Sequence, residues 1–164
     1  MPSGVVHPEL GALVRITLDN PSFVKNDPNL AGELGIGVPK PIAGWAVLDT
    51  GASISCVTVD TAEALGLLTV DAVSFCGVRA GHLPADPARE HTRLRYGLLR
   101  LVGVARTFAV RLAEVRPLGN HVDQPVIALL GRDVLQFAEL GWDGPSAAFD
   151  LNFRPAADAV VKEG

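Results

Sequence analysis

Seventeen glycines and twelve prolines are spread along the whole chain. Proline removes an amide donor and stops a helix, and glycine opens left-handed turns, so breaks this dense divide the sequence into many short elements. Between the breaks lie runs of β-branched and aliphatic residues. Residues 12–18 (ALVRITL) stop at the turn signal Asp19-Asn20-Pro21. Further strand-like runs cover residues 45–48, 54–59, 72–76, 91–102, 104–115, 125–130 and 147–153. In one of them Phe108, Val110 and Leu112 fall on a single face by their spacing of two. One or two short helices are expected. Asp60-Thr61-Ala62-Glu63 fits a capping box that Gly66 would close, and residues 131–137 can begin the other. Residues 1–11 read as a loose terminal tail, 21–41 as a long surface loop and 154–164 as a C-terminal tail. The expectation is one mostly-β domain over residues 12–153.

Composition narrows what such a domain does. Apolar residues make up 48% of the 164 positions but aromatics only 5%, so the core must be filled by Val, Leu and Ala. The 14 basic and 18 acidic residues leave a net charge of −4, a poor footprint for nucleic acid or an anionic membrane. The longest apolar stretch, residues 126–130, is far too short to span a bilayer. The first ten residues lack a basic segment followed by an apolar run, so no signal peptide is expected. Cys56 and Cys76 allow at most one bridge and read as free buried thiols. His7, His82, His91 and His121 have no metal-ligand spacing and read as solvated. Arg93, Arg95 and Arg100 read as a solvated strand face. No metal or organic cofactor is expected, and the location implied is cytoplasmic. Richness in Ala, Leu and Arg with few Lys points to a bacterial source.

The chemistry concentrates at Asp49-Thr50-Gly51-Ala52-Ser53, directly after the apolar run Ala46-Val47-Leu48. A carboxylate on a turn at the end of a buried strand is held rigidly yet can face a cleft. The Thr50 hydroxyl can donate or accept a hydrogen bond, and Gly51 lets a bound chain come close. The tripeptide alone is weak, since average composition gives Asp-[Ser/Thr]-Gly by chance in roughly one chain of this size in ten. An ordinary β-turn uses the same residues. The context adds weight: residues 127–135 read Ile-Ala-Leu-Leu-Gly-Arg-Asp-Val-Leu, with a strand-reversal-strand segment between the two motifs.

Taken together, these two motifs resemble those of the single-domain aspartic proteases of the retropepsin type, including their bacterial relatives. The resemblance covers about residues 12–153 and implies a closed β-barrel that works as a two-fold homodimer. It also implies an aspartic endopeptidase acting on polypeptide substrates. Such chemistry needs two carboxylates sharing a site and one proton, because two like charges that close cannot both ionise. This chain has a single Asp-Thr-Gly; Asp123 and Asp143 lack the Thr/Ser-Gly of a second copy. A second Asp49 must then come from a second subunit.

The resemblance implies roles residue by residue. Asp49 is the catalytic acid/base and Thr50 reaches across to the opposite loop. Gly51, with Ala52 and Ser53, contacts substrate. Leu130 and Gly131 pack behind the catalytic loop, and Arg132 ties the second helix to the interface. Residues 72–99 are the candidate flap, with Gly77 and Gly81 suited to a mobile tip over the substrate. The chain departs from the family in two places. Retroviral members often carry Asp where Ser53 stands, so that residue's salt bridge to the motif arginine cannot form here. Ala52 in place of Ser removes a hydroxyl donor near the carboxylate, which implies an optimum only mildly acidic.

Other readings are weaker. Gly51-Ala52-Ser53-Ile54-Ser55 lacks the last glycine and the strand–helix context of a nucleophile elbow. Gly35-Ile36-Gly37 lacks the third glycine of a dinucleotide fingerprint. The alternative that stays open is a retropepsin-fold dimerisation or peptide-binding module without turnover.

Overall fold

The computed structural model describes residues 3–21, 33, 37, 39–75, 90–122 and 124–154. In chain order the described elements are β1 (Ser3–His7), β2 (Gly11–Asp19), β3 (Ile42–Leu48), β4 (Cys56–Thr58), α1 (Val59–Ala64), β5 (Leu68–Phe75) and β6 (Glu90–Leu101). They continue with β7 (Thr107–Val115), β8 (Asn120–His121), β9 (Gln124–Leu130), α2 (Arg132–Leu135), β10 (Ala138–Asp143) and β11 (Ala148–Phe153). The mostly-β class with two short helices is observed.

β2 is the strand on which the sheet turns. One edge pairs along Leu13–Leu18 with β3, while the other is shared, first by β1 at Gly11–Leu13 and then by β6 at Ile16–Asp19. Following the pairings from β2 through β3, β9, β4, β7 and β6 returns to β2, so six strands close a barrel. Closure removes the barrel's own edges. β1, β11 and β10 run off the barrel as an antiparallel extension, with β10 outermost.

Alternation fills the barrel. Val14, Ile16 and Leu18 of β2 point inward, as do Phe108, Val110 and Leu112 of β7, the face expected from the spacing. β9 lies parallel to β3 and antiparallel to β4, and its run Val126, Ile127, Ala128 is buried. Outside the β2–β3–β9 wall, Leu13, Trp45 and Val126 form a second cluster.

Several local expectations are corrected. Residues 3–7, read as part of a loose terminus, form β1 between β2 and β11. α1 begins at Val59, one residue before the expected capping box. Its N-cap Thr58 makes no side-chain cap bond; the Thr58 hydroxyl instead meets that of Thr61 at 2.8 Å. The other end follows the sequence: Gly66 takes a φ of 58° and the Gly66 amide bonds back to Glu63 O. Asn20 Nδ2 caps that same end, donating to Leu65 O at 2.8 Å and Gly66 O at 3.1 Å. His7 and His121 are half-buried: His121 packs edge-on against His7 and against Trp45. β10 fills a stretch to which the sequence assigned nothing.

Arg95 is not part of a solvated face. Its side chain is 11% exposed, with Nε donating to Glu114 Oε1 at 2.6 Å and Nη1 to Leu67 O at 2.8 Å. Arg93 and Arg100 are exposed, as expected. Removing one member of a nearly buried pair leaves the other charge without compensation. Glu114→Ala is therefore expected to cost about 3 kcal/mol of unfolding free energy. The measurement is the urea midpoint at unchanged slope.

Candidate active site

β3 delivers Asp49. Leu48 pairs with Leu130 of β9, and the Asp49 amide extends that ladder by donating to Leu130 O at 3.0 Å. The chain then turns back. Asp49 Oδ1 accepts from the amides of Gly51 at 2.8 Å and Ala52 at 3.2 Å, and Asp49 O also accepts from the Ala52 amide at 3.2 Å. One carboxylate oxygen thus holds the turn, while Oδ2 lies outside these bonds. Asp49 and Ala52 are half-buried; Thr50, Gly51 and Ser53 are exposed. The Asp49 carboxylate thus belongs to the turn, and Asp49 as a whole is half-buried.

The second motif clamps this loop from behind. The Arg132 amide donates to Ala52 O at 2.9 Å, and the Gly131 amide donates to Ser55 Oγ at 3.0 Å. A Cβ on Gly131 would stand 2.7 Å from the Ile54 carbonyl carbon and 2.8 Å from its oxygen, so only glycine fits there. Leu130 is fully buried in the barrel core. The Arg132 side chain is exposed, and it is the backbone of this residue that ties α2 to the loop.

Two residues that hold the site were not singled out from the sequence. Ser55 is fully buried, and both its amide and its hydroxyl donate to Asp133, to Oδ2 at 3.0 Å and Oδ1 at 2.7 Å. Asp133 Oδ1 also accepts from the Val134 amide at 3.0 Å, in the first turn of α2. Asp133 thus binds the helix start to the strand that follows the Asp49 loop. The available signal was its place directly after Gly131-Arg132. Its partner 78 positions away is set by the fold alone.

Cys56, the next residue, is a free buried thiol, as expected. Burial pushes its pKa up to about 12, and the charges of Asp133 and then Asp49 add to the effect. In the unfolded chain the thiol ionises near 9, so between about 9 and 12 the native state holds a proton that the unfolded state has lost. Stability conferred at Cys56 therefore falls as pH rises through that window, by at most about 1.4 kcal/mol per pH unit. Urea unfolding of wild type and Cys56→Ala between pH 8 and 10.5 should show the gap between them narrowing. A constant gap would contradict the shift.

Gly77, Gly81, Cys76 and His82 lie outside the described residues, as does most of the loop 21–41. The arms of the candidate flap are described: β5 and β6 pair antiparallel from Leu68↔Tyr96 to Phe75↔Glu90. A cavity of about 310 Å³ between α1, β8 and β9 has none of residues 49–53 in its lining. Among the described residues no group of three or more His, Cys, Asp or Glu gathers as a metal site, and no helix is long and apolar enough to cross a membrane.

No protein-family model matches the chain, and no curated protein matches its sequence. Solved structures do match. A retropepsin-like aspartic protease from Rickettsia conorii superposes over 92% of this chain and 89% of its own, with TM-score 0.50 and 15% identity. The chain has the retropepsin-like fold. The retroviral protease-like domain of Ddi1 from Leishmania major aligns over 89% of this chain and 97% of its own, at TM-score 0.39 and 16% identity. In this retropepsin-like barrel the two sequence motifs, far apart in the chain, meet at one loop: Asp49 at the end of β3 and Gly131 at the end of β9.

Proposed function

We propose that this chain is an aspartic endopeptidase whose active centre forms from Asp49 of two copies. The observation that carries the reading is the Asp49 turn. Its carboxylate is fixed by two amide bonds to Oδ1 and backed by the Gly131–Arg132 clamp, yet it sits at an exposed loop with Oδ2 outside those bonds. Rigid support of a carboxylate is what proton transfer to and from a substrate requires.

In the assembled site one Asp49 takes a proton from a water, which adds to the peptide carbonyl carbon. The other Asp49, protonated, donates to the carbonyl oxygen. The resulting tetrahedral diol collapses as the amide nitrogen receives a proton and the C–N bond breaks. Both carboxyls end with one proton between them, ready for the next water. Thr50, exposed beside the carboxylate, is suited to bond across to the opposite loop. Gly51, Ala52 and Ser53 form the rim that an extended substrate would meet. Gly77 and Gly81 complete the proposed substrate contacts from the flap, with water excluded on closure.

The reading is tested by incubating the protein with a diverse peptide library at several pH values and protein concentrations. Internal cleavage, at a rate rising faster than linearly with protein, is the expected result. Binding of peptides without cleavage at any concentration would favour the binding module over the enzyme.

A further inference from the structure

We propose that the cavity between α1, β8 and β9 binds a primary ammonium group on an aliphatic stem, with Asp60 as its counterion. A lysine side chain and a free alkylamine share that chemistry. None of residues 49–53 lines the cavity, so the site stands or falls independently of the proteolytic reading.

Asp60 has the sequence context of a helix cap, yet the N-cap is Thr58 and Asp60 stands inside the first turn of α1, exposed. The capping role that the sequence offered it is therefore not taken up. Among the described residues nothing bonds or pairs its carboxylate. Asp60 lines the cavity, and it is the only charged residue among those that do. A negative charge with no counterion, set in a concave and mostly apolar surface, favours a cation there.

The neighbours select the kind of cation. An ammonium group has three N–H donors and no acceptor, so it asks for three oxygens. Besides Asp60, the cavity wall holds Thr61 and Asn120. Thr61 is only 7% exposed, and its Oγ1 accepts from the Thr58 hydroxyl at 2.8 Å with a second lone pair to spare. Asn120 brings an amide oxygen from β8. Ile42, Leu118 and Val126 add an apolar wall against which methylene groups can pack. A divalent metal ion fits poorly, because one carboxylate is too little anionic ligand. A guanidinium would need a fork of acceptors instead of three separate ones. At about 310 Å³ the volume lies at the small end of ligand pockets, room for a stem and its charged head.

The test uses the full chain carrying Trp142→Phe, so that Trp45 is the one remaining indole. Trp45 packs with Val126 and Leu118, which also line the cavity, so its fluorescence reports occupancy. The probes are pentylammonium and Nα-acetyl-lysine methylamide, with pentanol as the uncharged control. A saturable change with its midpoint below about 10 mM is expected for at least one probe. Pentanol should bind about tenfold more weakly or worse. Asp60→Asn, at an exposed position, should keep the melting temperature and weaken probe binding by about tenfold or more. Ala64→Phe, which sets a ring into the cavity wall, should abolish it. Saturation by the lysine derivative assigns the site to lysine side chains, and saturation by pentylammonium alone assigns it to free amines; both results support it. No saturation by either probe, or binding that Asp60→Asn leaves unchanged, overturns it. Peptide cleavage on the same samples should not change in Asp60→Asn, and an uncleaved library counts against the proteolytic reading alone.

Discussion

Asp49→Asn is expected to lower peptide cleavage by at least about a thousandfold while leaving the fold in place. The amide oxygen of Asn can accept from the Gly51 and Ala52 amides as Asp49 Oδ1 does, so the turn survives. What is lost is the group proposed to take a proton from water. Melting temperature and oligomeric state are the controls, and both should match the wild type. Cleavage that persists near the wild-type rate in the variant would place the chemistry elsewhere.

Asp133→Ala is expected to lower stability as strongly as the loss of Glu114. It removes the acceptor for the Ser55 amide, the Ser55 hydroxyl and the Val134 amide together. Ser55 is fully buried, so its amide is left without water or protein to bond. A loss of about 3 kcal/mol in unfolding free energy is expected. Asp133→Asn keeps one carbonyl oxygen as acceptor and should recover part of that loss. Cleavage should fall further in Asp133→Ala than the unfolded fraction accounts for, since the clamp behind Asp49 loosens. Stability within about 0.5 kcal/mol of wild type would show that the Ser55–Asp133 link does not hold the loop.

The barrel was legible because its strands are half-buried and show it. Phe108, Val110 and Leu112 alternate with exposed Thr107, Ala109 and Arg111, a period only a strand face produces. The Asp49 turn was legible because its bonds are local, from the Gly51 and Ala52 amides to Asp49 Oδ1. β10 was not: both of its faces are largely exposed, so Ala-Glu-Leu-Gly-Trp-Asp carries no burial pattern. β1 was hidden in the same way, among Pro, Gly and His, and is defined by its pairing with β2 and β11. Arg95 looked solvated because its counterion sits on the neighbouring strand β7, reached only once the β6–β7 register is known. The capping box failed for a local reason, since the Thr58 and Thr61 hydroxyls satisfy each other and α1 starts earlier. Ser55 and Asp133 escaped notice because a side-chain link across 78 positions leaves no periodic trace.

One chain brings one Asp49 to its loop, so the proposed proteolysis depends on a carboxyl group supplied by a different molecule. Mixing wild type with the Asp49→Asn chain at constant total protein, with time allowed for exchange, measures that dependence. If both carboxyls are needed, an equal mixture retains about one quarter of the wild-type rate, because only dimers of two wild-type chains turn over. A mixture retaining one half would mean that each Asp49 acts alone, and the account of a shared site would be wrong.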